Sequence, residues 1–579
     1  MSNFILKTLE TRELKLNTIR LRGFYGGKLR KGSGGGGSGD GFPQLPGDVT
    51  RWHFGGLTNE MMAAMDDPRI EDADHKGRFL SFKNFAWGGM SGVGGYTENY
   101  NSNRWYKVET RIDATWTYKS FNARSIKDNI AAQLFYQSKS SDTGFRVLSC
   151  TIKVSGLTDG QGIEYVSNGT QQFVIMRIEN DGIYHLPSFD FGAKNAYYGF
   201  RFLKLQESCN ITIEQLPLYP GALVFDGVDD WAGCDNLPLL PKEKGYSIIA
   251  LRNWITRYDA TQYKRPLISN LDTNDEGAFL IEYRKDENVN DVTGSYNSFT
   301  DVYIDDNNPI TWQTSSSYNG QIIKKGTSKS TNKLSICKTY FGQLSNYANA
   351  AIWEIVILDH DATEEELTKI KDYFIKTYPW LFPDQAWTVV GKTNEDEDRA
   401  TIANITGNGN DLVCLNLGFI EGSGYNEEGE YAGYLVTDGV DDKITSSTFE
   451  MGNDWTVIGD WELINTGKNN NAGIVKFDSI VIYNYNPILI NIKNGRNNLI
   501  PDQNTVNAIC SDGRIYSKDW KESIYNEETE STSKNLLTIG YSGNSYTKIA
   551  FKNLAIYPTV LSKEDCIKAY NYLQTLKAK

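Results

Sequence analysis

One six-residue pattern occurs twice in the chain, and it decides how the rest of the sequence is divided. Residues 225–230 read Phe-Asp-Gly-Val-Asp-Asp, and residues 437–442 read Thr-Asp-Gly-Val-Asp-Asp. Each copy follows a short apolar run, so each predicts a strand that ends in a Gly-containing turn. We therefore interpret the pattern as the marker of an internal repeat.

Further matches surround both copies in the same order. They are Trp52, Gly56, Thr58 and Asn59 with Trp387, Gly391, Thr393 and Asn394; Asn84, Ser91 and Gly92 with Asn416, Ser423 and Gly424; and residues 334–337 with 537–540. Each copy then closes with a predicted helix. The first opens at Thr363 with Glu366 three residues on, and the second at Ser562 with Asp565 in the same place. The shared order predicts two related modules.

The first copy is longer than the second by an insertion of about 120 residues between Asn84 and Asp226. Within it, residues 106–112, 172–178 and 209–214 alternate apolar and polar side chains at period two. Such alternation is typical of half-buried antiparallel strands. We expect residues 97–218 to form a separate β-sandwich.

These patterns predict an all-β, multidomain β-sandwich or jelly-roll protein with short C-terminal helices and a flexible basic N-terminal arm. The predicted divisions are a basic docking arm at 1–31, a Gly-rich linker at 32–47, the first half of repeat copy one at 48–96, the inserted sandwich at 97–218, sandwich 1 at 219–383, a linker with the first part of repeat copy two at 384–434, and sandwich 2 at 435–579.

Charge separates the arm from the body. Residues 1–31 hold eight Lys or Arg against two Glu, a charge of +6, which leaves −19 on the rest of a chain whose net charge is −13. An acidic body is not built to bind nucleic acid. The basic arm has two interpretations, a solvated tail or a segment that docks on a larger assembly.

Several classes of site are disfavoured by residue usage. The seven cysteines are scattered without a Cys-x-x-Cys pair, and none of the four histidines lies four residues from another. We therefore expect neither a disulfide framework nor a zinc or histidine metal site. No apolar run is long enough to span a bilayer, so we expect no membrane partner.

The repeated aspartates are the densest candidate ligands. Two interpretations of Asp226, Asp229 and Asp230, and of Asp438, Asp441 and Asp442, stay open: a structural Ca²⁺ site, or a turn held by the aspartates' hydrogen bonds. Residues 272–277 half-resemble a calcium loop, but Tyr283 stands at the twelfth position, which favours a surface turn. We predict no catalytic, cofactor-binding or metal-binding residue and no cofactor.

Aromatic side chains could stack on sugar rings. The candidates are Trp231, Trp87, Trp105 and Trp312, and the alternative for each is packing in a core or an interface. The second copy has Lys443 where the first has Trp231, so the two modules would differ if Trp231 binds a glycan.

The order of these elements resembles the concanavalin A-like lectin/glucanase superfamily in its laminin-G-like branch. The resemblance is carried by residues 223–230 and 353–358 before Thr363, and by residues 438–442 and 554–557 before Ser562. It implies a jelly-roll sandwich in each module. It leaves function open, because one fold hosts lectins, enzymes and structural modules.

The layout of arm, linker and repeat is also similar to structural proteins of crAss-like tailed bacteriophages of gut bacteria. The features are the basic residues 14–22, the glycines after them, and the segments at Asn84 and Asn416. The resemblance implies a non-enzymatic tail or head appendage of a virion, assembled in the host cytoplasm and homo-oligomeric. Its partners would be other virion proteins through residues 1–31 and a host-surface glycan or protein. Alternatives are a bacterial glycan-binding surface protein and a polysaccharide-degrading glycosidase or lyase.

The docking interpretation of the arm makes a direct prediction. Deletion of residues 1–31 should leave folded sandwiches but prevent incorporation into the assembly, because the arm's charge would be the contact. Circular dichroism of the truncated chain and mass spectrometry of purified particles measure the two effects. Normal incorporation of the truncated chain would refute the docking role.

Overall fold

A computed structural model of the chain describes residues 41–107, 112–125, 130–137, 146–169, 173–190, 196–207, 209–238, 246–255, 264–269, 280–284, 310–314, 317–318, 321–322, 333–338, 347–427, 429, 431–464, 472–477, 480–484, 488–492, 496–500, 506–524, 535–541 and 545–578. The predicted arm, most of the predicted linker and residues 272–277 lie outside this set. The fold class is confirmed: the described chain is a multidomain all-β protein of antiparallel sheets with a few short helices.

The first module begins before the insertion and continues after it. Its first elements are β1 (Val49–His53), α1 (Asn59–Ala63), β2 (Arg69–Glu71), β3 (Phe79–Lys83) and β4 (Gly92–Val93).

The insertion supplies twelve strands among the described residues. They are β5 (Trp105–Lys107), β6 (Ile112–Trp116), β7 (Ser120–Ser125), β8 (Ile130–Gln137), β9 (Arg146–Val147), β10 (Cys150–Ser155), β11 (Gly162–Ser167), β12 (Val174–Ile178), β13 (Gly182–Leu186), β14 (Phe189–Asp190), β15 (Tyr197–Leu205) and β16 (Asn210–Gln215). Ten of them form two five-stranded sheets, β13-β10-β16-β7-β6 and β12-β11-β15-β8-β5, which enclose a core of their own.

The first module then resumes and closes with a helix. Its remaining elements are β17 (Leu223–Asp226), β18 (Trp231–Cys234), β19 (Ser247–Trp254), β20 (Lys264–Ser269), β21 (Leu280–Arg284), β22 (Ile310–Thr314), β23 (Ser317–Tyr318), β24 (Gln321–Ile322), β25 (Leu334–Ile336), β26 (Asn349–Leu358) and α2 (Glu364–Thr377), followed by a 3-10 turn at Pro379–Leu381. Its two six-stranded sheets are β22-β19-β26-β17-β4, with β1 also on β26, and β2-β3-β18-β25-β20-β21.

The second module is uninterrupted. Its elements are β27 (Gln385–Thr388), β28 (Thr401–Ile402), β29 (Leu412–Leu415), β30 (Gly424–Asn426), β31 (Tyr434–Val436), β32 (Lys443–Phe449), β33 (Thr456–Leu463), β34 (Ala472–Phe477), β35 (Ile480–Asn484), β36 (Ile488–Ile492), β37 (Arg496–Ile500), β38 (Val506–Cys510), β39 (Arg514–Ser517), β40 (Glu522–Ile524), β41 (Asn535–Ile539), β42 (Ile549–Tyr557) and α3 (Lys563–Leu573). They build two eight-stranded sheets, β30-β31-β42-β33-β38-β39-β40 with β27 on β42, and β28-β29-β32-β41-β34-β35-β36-β37.

The two modules share corresponding strand orders. The order β22-β19-β26-β17-β4 in the first module corresponds to β38-β33-β42-β31-β30 in the second, and β1 and β27 occupy the same place. The order β2-β3-β18-β25-β20-β21 likewise corresponds to β28-β29-β32-β41-β34-β35. Each repeated Asp turn therefore crosses from one sheet of its sandwich to the other.

Both closing helices begin as the sequence predicts. The Thr363 hydroxyl accepts the Glu366 N–H, and the Glu366 carboxylate accepts the Thr363 N–H, which completes the capping box of α2. At α3 the Ser562 hydroxyl accepts the Asp565 N–H. These bonds satisfy backbone donors that a helix start leaves unpaired.

The two helices share one apolar core with both modules. That core holds Trp353 of β26, Phe374 of α2, Tyr557 of β42 and Tyr572 near the end of α3, all buried. The rings of Trp353 and Tyr572 are 6.3 Å apart, and the Tyr557 hydroxyl donates to the carbonyl of Trp380 at 3.0 Å. The modules are thus packed against each other through the sheets that carry the helices.

The inserted sandwich docks on the second module through His185 of β13. Its ring lies 5.6 Å from that of Tyr570 on α3, and its Nδ1 is 3.2 Å from the Thr151 hydroxyl. Its buried Nε2 has no hydrogen-bond partner among the described residues. Burial, reinforced by Lys552 and Lys518 and opposed by Asp460, lowers the pKa of His185 to about 3.

This histidine predicts a loss of stability in acid. Between pH 6.5 and about 3, His185 is protonated in the unfolded chain but not in the folded one. The stability contribution is therefore complete above pH 6.5. It decreases as the pH falls below 6.5, by up to about 1.4 kcal/mol per pH unit. His185→Gln should remove that component from denaturation curves measured across this range. Identical slopes for wild type and His185→Gln would contradict this assignment.

Candidate functional site

Each repeated Asp turn is organised around its first aspartate. The Asp226 Oδ1 accepts the backbone N–H groups of Val228 at 2.8 Å, Asp229 at 3.3 Å and Asp230 at 3.4 Å. In the second module the Asp438 Oδ1 accepts the corresponding three at 2.7, 3.3 and 3.4 Å. A carboxylate that accepts three backbone N–H groups of one turn holds them in a single geometry, and hydrogen bonds to a charged acceptor are the stronger ones.

The glycine of each turn is required by its backbone. Gly227 has φ +76° and Gly439 has φ +78°, in the left-handed region that favours glycine. A Cβ at Gly227 would also lie 2.7 Å from Asn349, and one at Gly439 would lie 2.9 Å from the backbone nitrogen of Lys548. Any other residue would strain the turn and push against β26 or the segment before β42.

The last aspartate of each turn points into the protein. Asp230 and Asp442 are both fully buried, and each accepts the backbone N–H of its turn's first aspartate, at 3.0 and 2.7 Å. The Oδ1 of each has no hydrogen-bond partner among the described residues. Burial raises the pKa of Asp230 to about 7 and also raises the pKa of Asp442.

A second loop closes over each turn. Asn84 donates to the carbonyl of Asp229 at 2.9 Å, and Asn416 donates to that of Asp441 at 3.0 Å. Both asparagines have positive φ, 67° and 66°. This explains the matched asparagines in the two sequence copies: an asparagine tolerates the left-handed backbone and ties the loop to the turn.

The three carboxylates of each turn offer oxygens within 4.8 Å of one another. Ca²⁺ takes six to eight oxygen ligands. The described geometry supplies three carboxylates, and one oxygen of the first is already used by three backbone N–H groups. The hydrogen-bonded turn is the role that these distances support, and we assign no reaction or binding step to a metal.

Half-exposed aromatic and cationic side chains lie beside the first turn. The Lys338 Nζ is 4.5 Å from the ring centre of Trp231 and 5.5 Å from that of Tyr347, and all three side chains are partly exposed. Val228 and Asp229, at the tip of the turn, are exposed to solvent. We call residues 226–231 with Lys338 and Tyr347 rim one.

The second module carries the same constellation with two residues exchanged. Lys443 stands at the position of Trp231, and Tyr541 stands at that of Lys338; the Lys443 Nζ is 5.3 Å from the Tyr541 ring. Tyr541 and Tyr546 lie 4.7 Å apart, in place of the Lys338–Tyr347 pair. We call residues 438–443 with Tyr541 and Tyr546 rim two. The cation and the ring have changed places, so the cation–π contact is retained.

The other tryptophan candidates differ in their surroundings. Trp105 is buried in the core of the inserted sandwich, and Trp87 stacks on Phe85 at 4.8 Å beside the core of the first module. The side chain of Trp312 lies outside the described residues. Sequence reasoning missed Lys338, Tyr541 and Tyr546. Extending the alignment by one residue past 337 and 540 would have shown the first two.

Among the helices that the structure describes, none combines the length and the apolar character needed to span a bilayer. All four histidines are described, and none belongs to a cluster of potential metal ligands among the described residues.

No family model matches the chain, and no curated protein matches it. Solved structures that match include the Trypanosoma rangeli sialidase, with 7% identity over 87% of this chain and 67% of that chain, at a TM-score of 0.25. The botulinum neurotoxin serotype D binding domain matches with 9% identity over 58% of this chain and 88% of that chain, at 0.21. A structure of that domain in complex with N-acetylneuraminic acid matches at 0.20, with 9% identity over 57% of this chain and 87% of that chain.

These matches correct one prediction. The chain was expected not to be an enzyme, and sialidases, which are enzymes, are among the structures that it matches. The prediction of a non-enzymatic protein is therefore wrong as stated and is withdrawn. TM-scores of 0.25 and below assign no activity to this chain.

The turn geometry predicts which aspartates matter for stability. Asp226→Ala should lower the free energy of unfolding by about 1–3 kcal/mol, because three backbone donors lose their acceptor. Asp229→Ala, at the exposed tip, should change it by less than about 0.5 kcal/mol. Urea denaturation of the two variants beside wild type measures the difference. Equal losses in the two variants would show that Asp226 does not hold the turn.

Proposed function

We propose that the chain is a glycan-binding protein that contacts saccharides through rim one and rim two. The carrying observation is that both rims place a partly exposed ring and a cation beside an acidic turn whose tip is open to solvent. A pyranose has an apolar face of C–H groups and an edge of hydroxyl groups. Such a ligand needs an aromatic surface for its face and fixed polar groups for its edge.

Each rim supplies both kinds of group. In rim one, Trp231 and Tyr347 provide aromatic surface, and the exposed carboxylate of Asp229 can accept hydrogen bonds from hydroxyl groups. In rim two, Tyr541 and Tyr546 provide the aromatic surface and Asp441 the exposed carboxylate. The backbone hydrogen bonds that Asp226 and Asp438 accept hold the turns that carry Asp229 and Asp441, which reduces the entropy cost of binding.

The setting that we propose is the surface of a phage particle, to which residues 1–31 would attach the chain. Its support is the sequence alone: a basic segment, a Gly-rich connection and an acidic repeated body. The alternative setting is the surface of a bacterial cell. Proteomics of purified virions against bacterial envelopes separates the two, because each setting predicts the chain in one fraction.

A glycan array probed with the full-length chain tests the proposed function. Trp231→Ala should weaken binding to an array-selected neutral saccharide about tenfold, the effect of about 1.4 kcal/mol of lost contact. Phe79→Ala is the matched control, since Phe79 is a 38% exposed ring on β3, four residues along the strand from Lys83, which pairs with Trp231. Isothermal titration measures both affinities.

Two results would contradict the proposal. One is an array on which the folded chain binds no saccharide. The other is an equal loss of saccharide affinity in Trp231→Ala, Tyr541→Ala and Phe79→Ala, which would mean that the rims are not the binding sites.

A further inference from the structure

The outer face of one sheet in the inserted sandwich carries a polar row. Register places Arg177 of β12 opposite Glu164 of β11, Glu164 opposite Arg201 of β15, and Arg201 opposite Gln133 of β8. Directly paired residues on neighbouring strands point to the same face of a sheet. The four side chains therefore form one line across four strands.

Glu164 is the centre of this line and divides its two oxygens between two arginines. Its side chain is 2% exposed. The Nε of Arg177 lies 3.0 Å from Oε1, and the Nε of Arg201 donates to Oε2 at 2.6 Å. The second terminal nitrogen of Arg201 also contacts Oε2. Both arginines are thereby fixed in orientation by one buried carboxylate.

This arrangement leaves unused donors and a net positive charge. One bidentate arginine is enough to pair the charge of a carboxylate, so the second guanidinium beside Glu164 leaves an unneutralised positive charge. The terminal nitrogens of Arg177 have no partner among the described residues, and its side chain is 67% exposed. The row as a whole carries a charge of +1, on a chain whose net charge is −13.

Aromatic surface adjoins the same row. The Arg201 guanidinium lies 5.1 Å from the ring centre of Phe173, which is 38% exposed. Tyr197 lies on the same face of β15 as Arg201, four residues away, with Gly199 between them. Its ring stacks on Phe135 at 4.3 Å. A guanidinium pair beside partly exposed rings suits a ligand with a carboxylate on an apolar ring.

We propose that this face of the inserted sandwich is a second saccharide site, selective for sugars that carry a carboxylate. Arg177 supplies the charged fork, Glu164 orients it through Nε, and Phe173 beside Arg201 offers the ring surface. The proposal rests on the proposed function in taking the ligand to be a saccharide, but it uses a different domain from the rims. The charge of the row is what excludes a neutral sugar as the preferred ligand.

The test is titration of the full-length chain with polygalacturonate, with its methyl ester, which removes the charge from the same polymer, and with poly-L-glutamate. We expect polygalacturonate to bind at least tenfold more tightly than the other two. Arg177→Gln should abolish that preference while leaving Arg201 on Glu164, so that the sheet stays intact. Arg69→Gln is the matched control, because Arg69 is 54% exposed, pairs with Asp67 and lies 4.9 Å from the ring of Phe79. A thermal shift assay confirms that each variant is folded.

Three results would overturn the inference. They are equal affinity for polygalacturonate and its methyl ester, equal or tighter binding of poly-L-glutamate, and equal effects of Arg177→Gln and Arg69→Gln. Binding of neutral saccharides at the rims without any preference for polygalacturonate would overturn this site and leave the proposed function standing. A polygalacturonate preference that is insensitive to Trp231→Ala would support this site whatever the outcome at the rims.

Discussion

The shared apolar core between the two modules is the constraint on which the rest of the molecule depends. Each sandwich has one sheet that faces a closing helix, and a helix as short as α2 or α3 is not stable without packing. The two modules satisfy this need together, with Trp353 and Tyr572 from opposite modules in contact. The Trp353 indole also donates to the carbonyl of Pro220 at 2.8 Å, next to the point where the insertion returns. One core therefore sets the positions of both modules and of the insertion.

Within that frame, the two Asp turns have the same interior and different exteriors. The hydrogen bonds that Asp226 and Asp438 accept agree within 0.1 Å at each of the three contacts. Outside, the ring and the cation have been exchanged between neighbouring strands, as Trp231 with Lys338 and as Lys443 with Tyr541. The interior is constrained by backbone donors that must be paired, whereas the exterior has only to retain a favourable contact. Under the proposed function, this difference would let the two rims recognise different saccharides.

Much of the fold could be predicted from the sequence because its signals are local. Thr363 with Glu366 marks a helix start, and Asp226 before Gly227 marks a turn, so both follow from neighbouring residues. The core around Trp353 could not be predicted, since it joins residues far apart in the chain. The same holds for Arg177 and Glu164, whose contact depends on strand register. The prediction of a non-enzymatic protein relied on missing motifs, which is weak evidence in a chain without a matching family model.

Saccharide binding at the Asp-turn rims can be tested by a structure of the complex. Crystals or cryo-EM particles of the full-length chain with a neutral array-selected saccharide would show where the sugar lies. We expect density against Trp231 and Tyr347, or against Tyr541 and Tyr546, within hydrogen-bond reach of the exposed turn aspartate. Sugar density confined to other surfaces, with both rims bound only by solvent, would contradict it.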